Sequence, residues 1–328
     1  MSSLLQTPGA NTPLLNLTRH WLPRVSRSFA PSIALLDGEM EAPVGLAYLL
    51  CRILDTVEDA ILPIDERKAL IELFLKGLES PDHLNEFLAR AQSTQALETG
   101  DDCSLLKESR TVVGHLKDLR PEVRAIFLKC IHEMGEGMIL LLDQPHIENE
   151  EQLSRYCHVV AGTVGELLTG LYCLTHRVDA EKTKALWADT EAFAQGLQRV
   201  NIAKDAGKDH ERKVSFIPGF SASSKEALRL HHRFCHQIMP HLQGALRYTL
   251  SIAPSSPYRQ FCALPLLLAV QTLAKIAGHP EVFSLDKGPR IPREDTMKLI
   301  DFCRQHAGNN SQLSTAFRLA AEPLWVTE

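Results

Sequence analysis

The sequence has no C-x-x-C pair and no long uninterrupted hydrophobic run. Its eight cysteines are scattered among 328 residues, mostly in apolar surroundings, which predicts buried, reduced thiols. The most apolar stretch, residues 261–277, is interrupted by Pro265, Gln271 and Lys275 and therefore predicts a core helix instead of a membrane span. Residues 1–16 lack the basic and apolar segments of a signal peptide, and we expect no anchor at the C-terminus.

An excess of positive charge is also missing. The formal net charge is −5 and the isoelectric point is near 6.3, so no basic surface for nucleic acid is predicted. Hydrophobic residues make up 45% of the chain, which is enough to bury a sizeable core. This balance is typical of a soluble protein, and we expect a cytoplasmic one.

Alternating apolar and polar residues, the pattern of strands, are absent as well, and helical periodicity dominates. No segment has the composition of a linker. We therefore predict a single all-α domain over residues 1–328, with its core at about 20–320. The predicted helices cover 15–23, 40–60, 64–78, 82–92, 105–118, 121–142, 149–174, 179–207, 224–251, 257–277 and 295–320.

The first feature that points to chemistry is a polar stripe on an otherwise apolar helix. Tyr48, Arg52, Asp55 and Asp59 are spaced 4, 3 and 4 residues apart, which places them on one helix face. Their neighbours are apolar nearly all round, as in a buried helix. Stacked carboxylates in such a place repel each other unless a cation lies between them, and hard oxygen ligands suit Mg²⁺ together with a substrate's phosphates.

A second stripe repeats this pattern far along the chain. Gln198, Asn201, Asp205 and Asp209 are spaced 3, 4 and 4 residues apart, and their neighbours are again apolar. Two such pairs predict metal-diphosphate sites on facing helices around a cavity. The basic run at 210–213 could close over the anion as a flap, although a solvated charge run is the commoner explanation.

Between the stripes lies a tyrosine followed by two glycines. Gly162 and Gly165 would weaken an isolated helix by roughly 1 kcal/mol each, which indicates either close packing or room for a ligand. Small residues beside an apolar cavity would let an extended hydrocarbon lie against the helix. Tyr156 offers a ring face and a hydroxyl, which suit cation stabilisation or proton transfer.

Two weaker patterns are more simply structural. The serine-rich turn at residues 26–29 could hold a phosphate, but a helix N-cap is the default interpretation. His231, His232, Cys235 and His236 crowd one segment, and we interpret them as an exposed polar helix face and not as a metal site.

Several blocks together resemble the squalene/phytoene synthase family, most closely its squalene synthase branch. They occur in family order over residues 20–320. The blocks are Ser26-Arg-Ser-Phe29, Leu36-Asp-Gly-Glu-Met40, Tyr48 to Asp59, Tyr156-Cys-His-Val-Val-Ala-Gly162, Asn201-Ile-Ala-Lys-Asp205 and Phe261-Cys-Ala-Leu-Pro265.

This resemblance implies an all-α isoprenoid (terpenoid) synthase fold with a central cavity. It also implies head-to-head (1′-1) condensation of two molecules of farnesyl diphosphate through presqualene diphosphate, followed by NADPH-dependent reduction to squalene. Dehydrosqualene and phytoene synthases, which use no reductant, are the alternative within the family. A non-catalytic assembly or binding homologue is a third possibility, against which the retained aspartates argue. Because the product is a hydrocarbon, peripheral membrane contact is chemically reasonable.

The resemblance assigns roles to residues by position. Tyr156 falls on the tyrosine that handles the cation or abstracts a proton. The position-matched sets are Asp55, Glu58, Asp59, Asp205 and Asp209 for Mg²⁺; Arg27, Ser28, Tyr48, Arg52, Gln198 and Arg212 for the substrate; and Asn201, Lys287, Arg290 and Arg293 for NADPH, for which no G-x-G-x-x-G motif is present.

Two positions depart from the family pattern. Lys208 stands where many relatives carry glutamate, which adds a cation beside the second aspartate pair. Val214 occupies a position where relatives often have arginine, and Arg212 or Lys213 would have to replace it in the flap.

Overall fold

The structure is a computed structural model that describes residues 3–6, 11–26, 29–94, 97, 99–144, 146–220, 226–277, 279 and 290–326. These residues form helices and two isolated β-bridges, and no β-strand. The helices are α1 (Asn11–Val25), α2 (Phe29–Ile33), α3 (Glu41–Glu58), α4 (Ile64–Gly77), α5 (Pro81–Gln92), α6 (Asp101–Lys107), α7 (Ser109–Gly114), α8 (Pro121–Leu141), α9 (Glu150–Cys157), α10 (Thr163–His176), α11 (Ala180–Glu211), α12 (Ala227–Ser251), α13 (Pro257–Ile276), α14 (Arg293–His306), α15 (Asn310–Ala321) and α16 (Pro323–Val326).

Side-chain caps fix the starts of several helices. The side-chain oxygens of Asn149, Asp179 and Asn309 accept hydrogen bonds from backbone N–H groups three residues later, at 2.8–3.1 Å. Each satisfies one of the donors that a helix N-terminus leaves free, which stabilises the start by about 1 kcal/mol. The predicted starts of α9 and α11, at residues 149 and 179, are these cap residues, whereas the start of α15 was not predicted.

Several helix predictions were wrong in detail. The predicted helix 105–118 is divided into α6, α7 and a 3₁₀ turn at His115–Asp118. The predicted helix 295–320 is broken where Asn309 caps α15, and Gly308 packs so closely that a Cβ there would lie 2.8 Å from the Pro254 carbonyl oxygen. The short helix α2 was missed. Ser26 Oγ accepts from the N–H groups of Phe29 and Ala30 at 3.0 and 3.2 Å, so the N-cap interpretation of this turn is confirmed.

The chain divides into two compact units. The first consists of Met1–Asp143 and Leu167–Val178, and α3 lies at its centre with thirteen of its side chains buried or nearly so, from Glu41 to Val57. Contact with α1 is close, since a Cβ on Gly45 would lie 2.8 Å from Thr18. The helix that carries the first acidic stripe is therefore held by core packing on most of its surface.

The second unit consists of Gln144–Glu166 and Asp179–Glu328. Its longest helix, α11, packs along α12, and glycines permit the close approach: a Cβ on Gly244 would lie 2.5 Å from that of Ala192. Helix α13 is buried from Tyr258 to Ile276 along most of its length, as predicted for a core helix. The single all-α domain over residues 1–328 that the sequence predicts stays a prediction.

Among the residues that the structure describes, one helical stretch, Glu150–His176, is long and apolar enough to cross a membrane by length and composition alone. Leu153, Cys157, Leu167 and Leu171 from this stretch are buried, as in a core helix. A π-helical turn at His158–Gly162 interrupts it, and π turns of this kind occur frequently at functional sites.

Candidate functional site

The first acidic stripe lies at the C-terminal end of α3, as predicted. Asp55 is half-buried, Glu58 is half-buried and Asp59 is exposed at the helix C-cap. Burial raises the pKa of Asp55 to about 7; nearby Arg52 opposes this shift, while the negative charges of Asp59 and Asp102 add to it. A carboxylate that is costly to ionise in the free protein is one that a bound cation would stabilise.

Arg52 and Tyr48 lie beside this carboxylate. The Arg52 guanidinium donates to the Tyr48 hydroxyl at 2.8 Å, and that hydroxyl donates to the Val25 carbonyl oxygen at 3.2 Å. Arg52 Nε also lies 3.8 Å from Asp102 Oδ1. Thus the structure brings together Tyr48, Arg52, Asp55 and the carboxyl end of α3.

Sequence reasoning missed Asp102, which lies outside both acidic stripes. Asp101 and Asp102 are the first two residues of α6. Asp101 forms an ion pair with Arg24 of α1 at 2.5 Å, and the adjacent Asp102 lies towards Arg52. The only signal in the sequence was the adjacent acidic pair Asp101-Asp102, and nothing in the local sequence indicates which arginine would form an ion pair with Asp102.

The second acidic stripe occupies the last turns of α11, within the second unit. Asp205 forms ion pairs with Lys204 at 3.3 Å and Lys208 at 3.1 Å, so the predicted effect of Lys208 has a structural basis. Asp209 is half-buried and lines a small, open cavity. Asn201 lies next to Gln198, with 3.5 Å between amide nitrogen and oxygen.

After α11, residues 212–220 fold back onto the same unit. Lys213 has a φ of +58°, which turns the chain, and the Val214 N–H donates to the Asp209 carbonyl oxygen at 3.0 Å. Val214, Ser215, Phe216, Ile217 and Phe220 of this loop line the cavity beside Asp209. Arg212 is exposed. Of the basic run at 210–213, His210 lines the cavity, whereas Arg212 and Lys213 do not; closure of this run over an anion stays a prediction.

Tyr156 lies one residue before the end of α9, and its ring stacks on that of Phe216. The two ring centroids are 4.5 Å apart, and the planes make an angle of 25°. Both residues are half-buried. Phe216, to which sequence reasoning assigned no role, is therefore a direct neighbour of the predicted cation-handling tyrosine.

The two glycines after Tyr156 serve close packing, which is the first of the two alternatives that the sequence left open. A Cβ on Gly162 would lie 2.5 Å from His158 Nδ1 and 2.7 Å from Glu191 Oε2. These two atoms form a hydrogen bond of 2.9 Å directly over the glycine. On Gly165, a Cβ would meet Thr190 and Ala194 of α11 at 3.3 Å.

The His158–Glu191 contact is one rung of a polar ladder between α11 and the helical stretch that carries Tyr156. Gln195 Nε2 donates to the Ser154 carbonyl oxygen at 2.8 Å and to Glu191 at 2.7 Å. Arg199 is buried, and it donates to Gln195 Oε1 at 2.9 Å and to Glu150 Oε1 at 2.5 Å. The polar ladder therefore has three rungs, which are Glu150–Arg199, Ser154–Gln195 and His158–Glu191.

The remaining predicted residues are less informative. Arg290 and Arg293 are exposed, and the Arg290 carbonyl oxygen accepts from Lys275 at 2.8 Å. Arg27, Ser28 and Lys287 lie outside the described residues.

The interpretation of the histidine run was partly wrong. His231 and Cys235 are buried, not exposed, and His231 Nε2 donates to the carbonyl oxygen of Ala203 on α11 at 2.8 Å. His232 and His236 contact each other at 3.2 Å. His231 thereby supports the backbone of α11 next to the second acidic stripe.

Comparisons with known proteins place these features in context. A sequence model described as squalene/phytoene synthase matches residues 22–295. The squalene synthase of Eremothecium gossypii is 30% identical over 302 residues, which cover 85% of this chain and 65% of that protein. The chain spans just under two thirds of the length of the first curated relatives that it matches, 64–65%.

Solved structures share the fold. The structure of TcSQS with a ligand has a TM-score of 0.75 and 22% sequence identity, and the match covers 96% of this chain and 100% of that one. A dehydrosqualene synthase has a TM-score of 0.61 and 16% identity over 91% of this chain and 98% of its own. At these identities the likeness shows the fold alone, and it confirms the predicted all-α isoprenoid synthase fold.

Proposed function

Because the chain belongs to the squalene/phytoene synthase family, as its sequence blocks predicted, we propose that it is a prenyltransferase that makes squalene. It would join two molecules of farnesyl diphosphate head to head (1′-1) and reduce the resulting presqualene diphosphate with NADPH. Family membership supports the isoprenyl-transferase class, and the likeness to squalene synthases at 30% identity supports the choice within the family.

The observation that carries the proposal is the environment of Asp55. Its carboxyl is half-buried and lies near two further carboxylates, so its charged form lacks enough compensation within the protein. This donor set fits Mg²⁺, which is held by one or two carboxylates and by substrate phosphates. We propose that Asp55, Glu58 and Asp59 hold the metal, which when bound would withdraw charge from the leaving diphosphate.

The second stripe fits a metal less directly. Asp209 faces the cavity, but Asp205 already has two lysine partners. We propose that Asp205 and Asp209 form the second metal-diphosphate site, in which Lys208 competes with the metal and can also contact a phosphate oxygen.

The chain's own residues then have distinct tasks. The Arg52 guanidinium lies beside Asp55 and is suited to binding a diphosphate oxygen. Tyr48 holds this guanidinium through a hydrogen bond of 2.8 Å. Tyr156 presents an aromatic ring and a hydroxyl, which could stabilise an allylic cation or accept its proton. Most of the other residues that line the cavity beside Asp209 are apolar, and such a lining would help to keep water from a reactive cation.

For the reductant, the described residues provide Asn201 near the second stripe and exposed cations at Arg290 and Arg293. The positive charges of Arg290 and Arg293 suit the phosphates of such a cofactor, and Lys287 stays a candidate from the sequence alone. We assign no step of hydride transfer to these residues.

The test is product analysis by mass spectrometry. Purified protein with farnesyl diphosphate, Mg²⁺ and NADPH should yield squalene, and without NADPH it should accumulate presqualene diphosphate. Asp55→Asn and Asp205→Asn should each cut turnover by orders of magnitude, whereas Asp65→Asn, an exposed aspartate in the next helix, should not. Absence of any C30 product from the wild type, or full activity of Asp55→Asn, contradicts the proposal.

The alternative is a dehydrosqualene or phytoene synthase, which the family description and the fold of the dehydrosqualene synthase also support. Such an enzyme ends with proton loss, so it would form dehydrosqualene without NADPH, or would prefer geranylgeranyl diphosphate. The same assay with the two substrates, with and without NADPH, separates these outcomes.

We also propose that the protein is cytoplasmic and touches membranes only peripherally, because its hydrocarbon product partitions into lipid. Flotation with liposomes, with and without product formation, tests this contact.

A further inference from the structure

We propose that Phe216 is a positioning residue that holds the Tyr156 ring for the reaction of the cation. The inference rests on the proposed function and extends it to a residue for which neither the sequence pattern nor the comparisons supply a role.

The contact itself is direct. Phe216 covers one face of the Tyr156 ring at a centroid distance of 4.5 Å and an interplanar angle of 25°, the range of favourable offset stacking. Both residues are half-buried, and the stack is one of the contacts that restrain the orientation of the Tyr156 ring.

The two residues before Phe216 are each anchored by a backbone hydrogen bond. Before it, Val214 donates to the carbonyl oxygen of Asp209 at 3.0 Å. Next to it, the Ser215 carbonyl oxygen accepts from the Ile147 N–H at 2.8 Å, and Ile147 lies just before the Asn149 cap of α9. The loop thus connects the second acidic stripe to the start of the helix that carries Tyr156.

This arrangement has a chemical consequence. With one ring face covered by Phe216, a cation can reach only the opposite face or the hydroxyl of Tyr156. Without the stack, the ring could rotate away, and water or an incorrect proton acceptor would quench the cation. Losing Phe216 should therefore change which products form, and not only how fast they form.

The experiment compares product ratios. In Phe216→Ala, turnover should fall by about two- to twelvefold, the range expected for the energy of one aromatic pair. The fraction of C30 alcohols or released presqualene diphosphate should rise relative to squalene. Phe216→Tyr should restore the wild-type ratio, because it restores the stack. Phe216→Leu keeps an apolar side chain in the loop without a ring, and should reproduce the altered ratio even if the alanine variant folds poorly.

Two controls isolate the role of the contact. Phe302→Ala removes another half-buried ring, which pairs with His306 at 5.3 Å on α14, and should leave the ratio unchanged. In a Tyr156→Ala background, Phe216→Leu should produce no further change in the ratio. An unchanged ratio in both Phe216→Ala and Phe216→Leu, or an equal effect with and without Tyr156, overturns the inference.

A spectroscopic measurement separates failure of this inference from failure of the proposed function. With fluorotyrosine incorporated at the five tyrosines, the ¹⁹F resonance assigned by Tyr156→Phe should shift in Phe216→Leu, because the ring current of the stack is lost. No shift in an active enzyme overturns the inference alone. A shift in a protein that makes no C30 product shows that the stack exists and that the proposed function is wrong, and the positioning role falls with it.

Discussion

Removal of Glu150 should destabilise the protein far more than its exposure suggests. The Glu150 side chain is 65% exposed, whereas that of its partner Arg199 is only 2% exposed. Substitution of an ordinary exposed residue changes the free energy of unfolding by at most about 0.5 kcal/mol. Here Glu150→Ala would leave a buried guanidinium without its counter-charge, which typically costs 3–5 kcal/mol. Water reaches the carboxylate end of the pair, so we expect a loss near 3 kcal/mol.

The assay is urea unfolding followed by circular dichroism, with the free energy taken from linear extrapolation. Glu151→Ala is the matched control, because Glu151 is also exposed in the first turn of α9 and shares the favourable interaction with the helix dipole, worth about 0.3–1 kcal/mol. The difference between the two variants therefore isolates the ion pair, and we expect it to exceed 2 kcal/mol.

A second-site change sharpens the test. Combining Glu150→Ala with Arg199→Met replaces the unpaired charge with an apolar side chain of similar length, and buried ion pairs can often be replaced in this way without loss. The double variant should be more stable than Glu150→Ala alone, although Gln195 then loses one hydrogen-bond donor. If Glu150→Ala matches Glu151→Ala, or if Arg199→Met brings no recovery, the argument from burial is wrong.

Three further predictions concern other parts of the chain. Lys208→Gln should lower the Mg²⁺ concentration for half-maximal turnover by up to about fivefold, since an exposed ion pair with Asp205 is worth at most about 1 kcal/mol. Burial lowers the pKa of His231 in the folded protein, so below about pH 6.5, the ordinary pKa of histidine, the unfolded state binds more protons than the folded state. The free energy of unfolding should therefore fall as the pH drops through about 6.5, with a slope of up to about 1.4 kcal/mol per pH unit. Urea titrations at several pH values should show this slope in the wild type and not in His231→Asn. Gly244→Ala should cost about 1–3 kcal/mol by overpacking, whereas Gly114→Ala, with open space around it, should gain about 0.4–1 kcal/mol; equal effects in thermal unfolding would contradict this packing argument.

The sequence predicted best what depends on local periodicity. Helix α3 was recognised because its apolar positions surround one polar stripe, and the structure places Tyr48, Arg52 and Asp55 together on it. The helix ends that failed, such as the break at Asn309, depend on a single cap or on packing against a distant carbonyl. Asp102 could not be assigned to Arg52, since that contact requires the position of α6 relative to α3.

The polar ladder shows where such prediction stops. Glu150, Ser154 and His158 recur every four residues in one helical stretch, and Glu191, Gln195 and Arg199 recur every four residues on α11. Both stripes are visible in the sequence, but each alone is equally compatible with a solvated helix face.

What distinguishes the two interpretations is burial, because Gln195 and Arg199 are almost inaccessible and buried polar groups require partners. The two helical segments of the polar ladder run antiparallel, so the order of residues along one segment determines their partners along the other. A shift of one helical turn would leave the Arg199 guanidinium without Glu150, and the ladder therefore fixes the height of Tyr156 along α11.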